Sequence, residues 1–230
     1  MRTFALSLLF LSACAQTPIA PPTPPTAAPA PLPPDLLSLV PLAGPFSSLD
    51  QWCRRQPTQL GCDQLENPVG EATILNVAGP GRTTLLVVGM HTATGWYAGL
   101  APNCTDGRGC SSGRLEQQSP AGGPPVFLFR YEPELGQSFR IEWLLLCIGG
   151  NTPACSAAVI PLRARGVDGA SLLALHVDIS FGNVLYRQGK LAFALRADKR
   201  EVAGRMPDAV EWRRRLSLLS GPHLLPLPAR

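Results

Sequence analysis

The chain has 230 residues, a formal charge of +4, 25 prolines, 22 glycines and 7 cysteines. That length suits one or two domains. So small a charge excess, with basic residues scattered in short clusters, is not the footprint a nucleic-acid binder needs. Lys190 and Lys199 are the only lysines, and the preference for arginine reads as the bias of a GC-rich genome rather than a demand for guanidinium forks.

In chain order, the first segment has the form of an export signal. Arg2 supplies a positive start, residues 4–11 a short apolar run, and Leu11-Ser12-Ala13-Cys14 closes it. The run falls far short of the roughly twenty residues needed to cross a bilayer. Residues 1–13 are therefore expected to be a cleaved signal peptide and not an anchor helix. The Leu-Ser-Ala-Cys ending resembles the lipobox of bacterial lipoproteins. The resemblance implies a diacylglycerol on the Cys14 thiol, cleavage that leaves Cys14 as the first mature residue, and a membrane as the first partner. Ala15 follows, where an inner-membrane retention Asp would sit, which favours the outer membrane.

From Thr17 to Pro34 the sequence is almost only Pro, Ala and Thr, a composition that buries no core and favours extended polyproline II. At about 3.1 Å per residue such a tether reaches roughly 55 Å, enough to hold a domain clear of the headgroups. Residues 14–34 thus read as acylated cysteine plus tether, and 35–230 as a single globular domain.

With Cys14 set aside, Cys53, Cys62, Cys104, Cys110, Cys147 and Cys155 remain, in sequence-local pairs nine, six and eight residues apart. Short loops close at the smallest entropic cost, and an oxidising envelope compartment favours disulfides. The expected pairs are Cys53–Cys62, Cys104–Cys110 and Cys147–Cys155. Zinc fits poorly: there is no CxxC and no nearby His, and no metal or other cofactor is expected.

Ser47 or Ser48 can cap a short helix carrying Leu49, Trp52 and Cys53, stopped before Pro57. After Gly70 the pattern becomes strands, at 71–78, 83–91, 125–132, 138–148, 157–165, 172–181 and 191–197, bounded by Gly, Pro and Asn clusters. Phe139, Ile141, Trp143 and Leu145 share one face; Leu173, Leu175, Val177, Ile179 and Phe181 share another, opposite His176, Asp178 and Ser180. Period two with short connections predicts a mainly β fold, an antiparallel sandwich- or barrel-like domain with one short N-terminal helix and three local disulfides. Gly182-Asn183 reads as a tight turn, and Gly79-Pro80-Gly81-Arg82 as a hairpin turn rather than a phosphate loop, since the P-loop Lys is missing. Residues 207–219 fit either a helix or a loop leading into a strand at 215–219. The strands at 125–132 and 138–148 should form a hairpin with Arg130 opposite Glu142 and Glu132 opposite Arg140, a register chosen for its charge pairs. Gly95-Trp96-Tyr97 after a strand and Gly122-Gly123-Pro124-Pro125 before the next are similar in layout to Cys-paired β-rich lipoproteins, a likeness that carries over no functional residue.

Few residues suggest chemistry. Gly109-Cys110-Ser111-Ser112-Gly113 matches the GxSxG pattern, but no apolar strand precedes it and no helix pattern follows, so the nucleophile elbow is not expected. His176 and Asp178 lie two apart on one strand face. They could serve as a base and its carboxylate, or simply as polar residues on a wet sheet. Trp96 and Tyr97 beside Gly95 could form a stacking surface or belong to the core. His91 falls at a strand end, His223 in a Pro-rich tail without signal, and Arg213-Arg214-Arg215 on a solvated helix or strand edge. The expected function is an envelope lipoprotein presenting a non-catalytic module, with Trp96, Tyr97, His176 and Asp178 as its possible binding surface. Its partner would be an envelope protein or a cell-wall component. The alternatives are a small hydrolase using Ser111 or another Ser with His176 and Asp178, and an assembly factor of a larger envelope complex.

Overall fold

Of the chain, the computed structural model describes residues 37–57, 60–62, 70–80, 83–104, 110, 113–132, 139–169 and 172–228. The signal segment, Cys14, the tether and Ser111 lie outside the described residues.

Two short strands, β1 (Leu39–Pro41) and β2 (Ala43–Phe46), lead into α1 (Leu49–Arg54). Ser48 is the cap: its hydroxyl accepts from the Gln51 N–H at 3.0 Å, while the Gln51 side chain accepts from the Ser47 N–H at 2.8 Å. The cap satisfies one donor that a helix start leaves open, and the second bond ties the preceding residue to the first turn. Leu49, Trp52 and Cys53 are buried at helical spacing, and Cys53 is bonded to Cys62. The strands β3 (Ala72–Ala78), β4 (Thr84–Thr92) and β5 (Gly95–Leu100) follow, and with β2 they form a four-stranded antiparallel sheet in the order β2-β5-β4-β3. Leu85 to Met90 is buried on both faces, which explains why β4 reads as a continuous apolar run rather than an alternating one.

The second sheet holds β6 (Arg114–Gln118), β7 (Val126–Tyr131), β8 (Phe139–Ile148), β9 (Ala154–Ser156), β10 (Ile160–Asp168) and β11 (Leu173–Phe181). It is completed by β12 (Leu185–Arg187), β13 (Lys190–Ala203), β14 (Gly221–Pro226) and the short β1, which pairs with β9. From β6 the order runs β7, β8, β10, β11, β13, all antiparallel. Its two ends meet. Val184 N–H donates to the Gln118 side chain at 3.3 Å, and the Tyr186 hydroxyl to the Pro124 carbonyl at 3.0 Å. The sheet therefore curls back on itself at this end. Both sheets feed one contiguous core that includes Trp52, Phe127, Phe129, Leu144, Leu146, Ile160 and Leu191. The fold is mainly β, as the alternation predicts, with three local disulfides at Cys53–Cys62, Cys104–Cys110 and Cys147–Cys155. These bonds place the domain in an oxidising compartment, outside the cytoplasm.

One open alternative is decided and two local expectations are corrected. Residues 207–219 form a helix, α2 (Pro207–Leu219), with Pro at its first turn, and the final strand is β14 beyond it. The chain does not reverse at Gly182-Asn183. Both β11 and β12 run antiparallel to β13 in nearly continuous register, Phe181 across from Leu195 and Leu185 across from Ala192. The reversal comes at Gln188 and Gly189, whose φ values of 50° and 71° match the two left-handed positions of a type I′ hairpin turn. Lastly, β7 and β8 pair two residues away from the charge-matched register. Arg130 faces Leu144, Tyr131 faces Trp143, and odd residues oppose odd ones as expected. The charge pairs do not need direct opposition. Arg130 reaches Glu142 diagonally at 3.9 Å and Glu116 of β6 at 3.4 Å, and β6 was absent from the predicted strands.

Candidate binding surface

Strands β12 and β14 lie on opposite edges of the first half of β13. Because side chains alternate faces, one face of these three strands carries a readable grid. Leu185, Ala192 and Leu224 form one cross-strand row; Arg187, Lys190 and Pro226 form the next; Ala194 and Pro222 form a third. The alanines of β13 make a low floor between taller neighbours. Leu185 and Leu224 stand 48% and 57% exposed on either side. The result is a trough of about 720 Å³ whose lining also includes Asn183, Gln188, Phe193 and His223. That volume lies in the range of small-ligand sites.

Its charge is one-sided. Arg187 stands directly across from Lys190 at the hairpin tip, a like-charge cross-strand pair that costs stability. No carboxylate lines the trough, and among the described residues neither cation forms an ion pair. His223 lies across from Phe193 and shares its inward face. Its ring stacks on Phe193 with centroids 5.1 Å apart, and its Nε2 donates to the Leu219 carbonyl at 2.6 Å.

The residues singled out in the sequence lie elsewhere. Trp96 and Tyr97 are 4% and 9% exposed within β5, so the stacking surface is corrected to core; the Trp96 ring packs on His91 of β4 with centroids 4.9 Å apart. His176 and Asp178 do share a face of β11, but in a ladder of compensated charges. Asp178 lies 3.8 Å from Arg163 Nε and 3.7 Å from Arg165 Nη2, with Lys199 across on β13. Continuing through Arg163, the row runs Glu142, Arg130, Glu116, alternating in sign from strand to strand. That is how a wet sheet face balances itself. His176 sits between Arg165 and Glu201, and among the described residues it forms no hydrogen bond with a hydroxyl or with Asp178. Ser111 is outside those residues; its neighbour Cys110 is held by Cys104 and by its N–H to the Thr84 carbonyl at 2.7 Å. Among the described residues no three His, Cys, Asp or Glu side chains gather to hold a metal ion.

Sequence reasoning missed the trough for two reasons. β12 is too short to show alternation, and Pro222 and Pro226 made β14 look like a tail, although an edge strand tolerates proline. One signal was available: Arg187 and Lys190 flank a two-residue turn, which sets like charges opposite each other. Comparison with known proteins brings no relative, since no family model, curated protein or solved structure matches the chain.

Proposed function

We propose that this chain is an envelope lipoprotein, anchored to the membrane by acylated Cys14, whose β domain is a non-catalytic module binding a protein partner or a cell-wall component. The observation that carries the binding role is the trough. Arg187 and Lys190 repel across the hairpin, and exposed leucines gathered beside them form the kind of apolar patch with a polar rim that marks an interaction site. The lipobox resemblance supports the anchor, the Pro-rich segment the reach, and the three disulfides a domain able to persist outside the cytoplasm.

Site-specific photocrosslinking in intact envelopes tests the reading. A photoreactive side chain at Leu224 should give a discrete adduct that is lost when Arg187→Glu and Lys190→Glu are combined. The same group at Val167, exposed on β10, should give none. Equal labelling at both positions, or an adduct indifferent to charge reversal, would sink the binding role. The anchor is tested separately: Cys14→Ser should abolish incorporation of an alkyne fatty acid, and persistent labelling of the variant refutes Cys14 as the acylation site.

A further inference from the structure

The trough has a direction as well as a charge. It runs along β13, with Ala194, Ala192 and Lys190 spaced two residues apart on its floor, which is about 7 Å per step in a strand. The apolar row of Leu185, Ala192 and Leu224 is therefore one step from the cationic row of Arg187 and Lys190. An extended peptide laid along the floor has the same spacing between side chains on one of its faces.

Building on the binding role proposed above, we infer that the trough takes an extended acidic peptide segment with an apolar side chain and a carboxylate two residues apart. The apolar side chain sits over Ala192 between Leu185 and Leu224. The carboxylate meets Arg187 and Lys190, which supply the charge-assisted hydrogen bonds that favour it over a neutral amide. The sheet face thus reads side chains. The outer edge of β14, interrupted by Pro222 and Pro226, is poorly suited to adding a strand by backbone pairing.

The test titrates the mature acylated chain, in detergent, with an acetylated and amidated heptapeptide in which Leu and Glu alternate with Ser, followed by calorimetry. Binding is expected at submillimolar peptide, weakened about tenfold when the peptide Glu is replaced by Gln and weakened again at high salt. The combination of Arg187→Glu with Lys190→Glu should remove the preference for Glu over Gln. Ala192→Leu, which fills the half-buried floor on the face away from Leu191 and Phe193, should weaken both peptides. Equal binding of the Glu and Gln peptides overturns the inference, and so does binding untouched by Ala192→Leu. Vesicles of phosphatidylglycerol form a third arm; if they bind through Arg187 and Lys190 while the peptide does not, the ligand is a lipid and the peptide assignment falls. If a charge-dependent adduct still forms at Leu224 in envelopes but the peptide fails at millimolar concentration, the binding role stands and its peptide chemistry is wrong.

Discussion

Trp212 of α2 lies nearly flat on Trp143 of β8, ring centroids 5.8 Å apart and planes 22° from parallel. The helix depends heavily on this contact. Its buried residues are few, Ala209, Leu216 and Leu219, and with Trp212 they follow the 3-4-3 spacing of a single narrow face. On the adjoining turn, Arg213 ties the helix back by donating to the Val202 and Gly204 carbonyls at 2.9 and 3.2 Å. The Trp143 indole N–H is buried without a partner among the described residues, so ring contact is what holds the pair.

Trp212→Ala should therefore cost about 2–3 kcal/mol, combining lost burial with an aromatic contact. Trp212→Phe should cost less than half of that. Urea unfolding followed by circular dichroism reads both, and an unchanged midpoint for Trp212→Ala would show that α2 is not docked through this stack.

Removing the Cys147–Cys155 bond isolates one staple. The two residues face each other across β8 and β9, and β1 is hydrogen-bonded to the far side of β9. Closing a loop of this length lowers unfolded-chain entropy by about 2.5 kcal/mol on chain-entropy reasoning. Cys147→Ala with Cys155→Ala should lower stability by that order while β8 keeps its central place between β7 and β10. Loss of the entire cooperative transition would contradict a local role.

Asp178 offers a test of the charge ladder. Its partners Arg163 and Arg165 are well exposed, so each pair should be worth only about 0.2–1 kcal/mol. A double-mutant cycle on Arg163→Ala and Asp178→Ala should give a coupling of that size, shrinking in high salt. A coupling above about 2 kcal/mol, or one indifferent to salt, would mean Asp178 is doing something other than balancing the sheet.

The same ladder shows what the sequence could and could not specify. Local cysteine pairs were legible because chain entropy favours short loops, and strands such as β8 and β11 because one buried face imposes period two. Register was legible only to parity. Burying Phe129 and Trp143 on one face demands odd against odd, yet a charge pair worth a fraction of a kcal/mol cannot choose between registers two residues apart. Long side chains such as Arg130 reach their partners diagonally in either. The trough was illegible for a related reason: it arises from three strands side by side, and Leu224 joins Leu185 only through a pairing far apart in sequence.

Alkaline pH should reveal the buried phenols. The Tyr131 hydroxyl is buried and donates to the Pro102 carbonyl at 2.8 Å; burial holds its pKa above the ordinary tyrosine value. Burial also pushes the half-buried Tyr186 phenol up to about 12. In both cases the folded state keeps a proton that the unfolded chain releases near pH 10. Their contribution is thus fully present below about pH 10 and is lost as pH rises toward the folded values. For Tyr131 the fall approaches at most about 1.4 kcal/mol per pH unit. Unfolding free energies from urea at pH 9 and at pH 11, with brief incubation to spare the disulfides, should therefore differ by about 1 kcal/mol or more. Tyr131→Phe should be less stable at pH 9, having lost its bond to Pro102, but should show a flatter decline between the two pH values. If the variant declines as steeply as the parent, the buried Tyr131 phenol is not the source of the alkaline sensitivity.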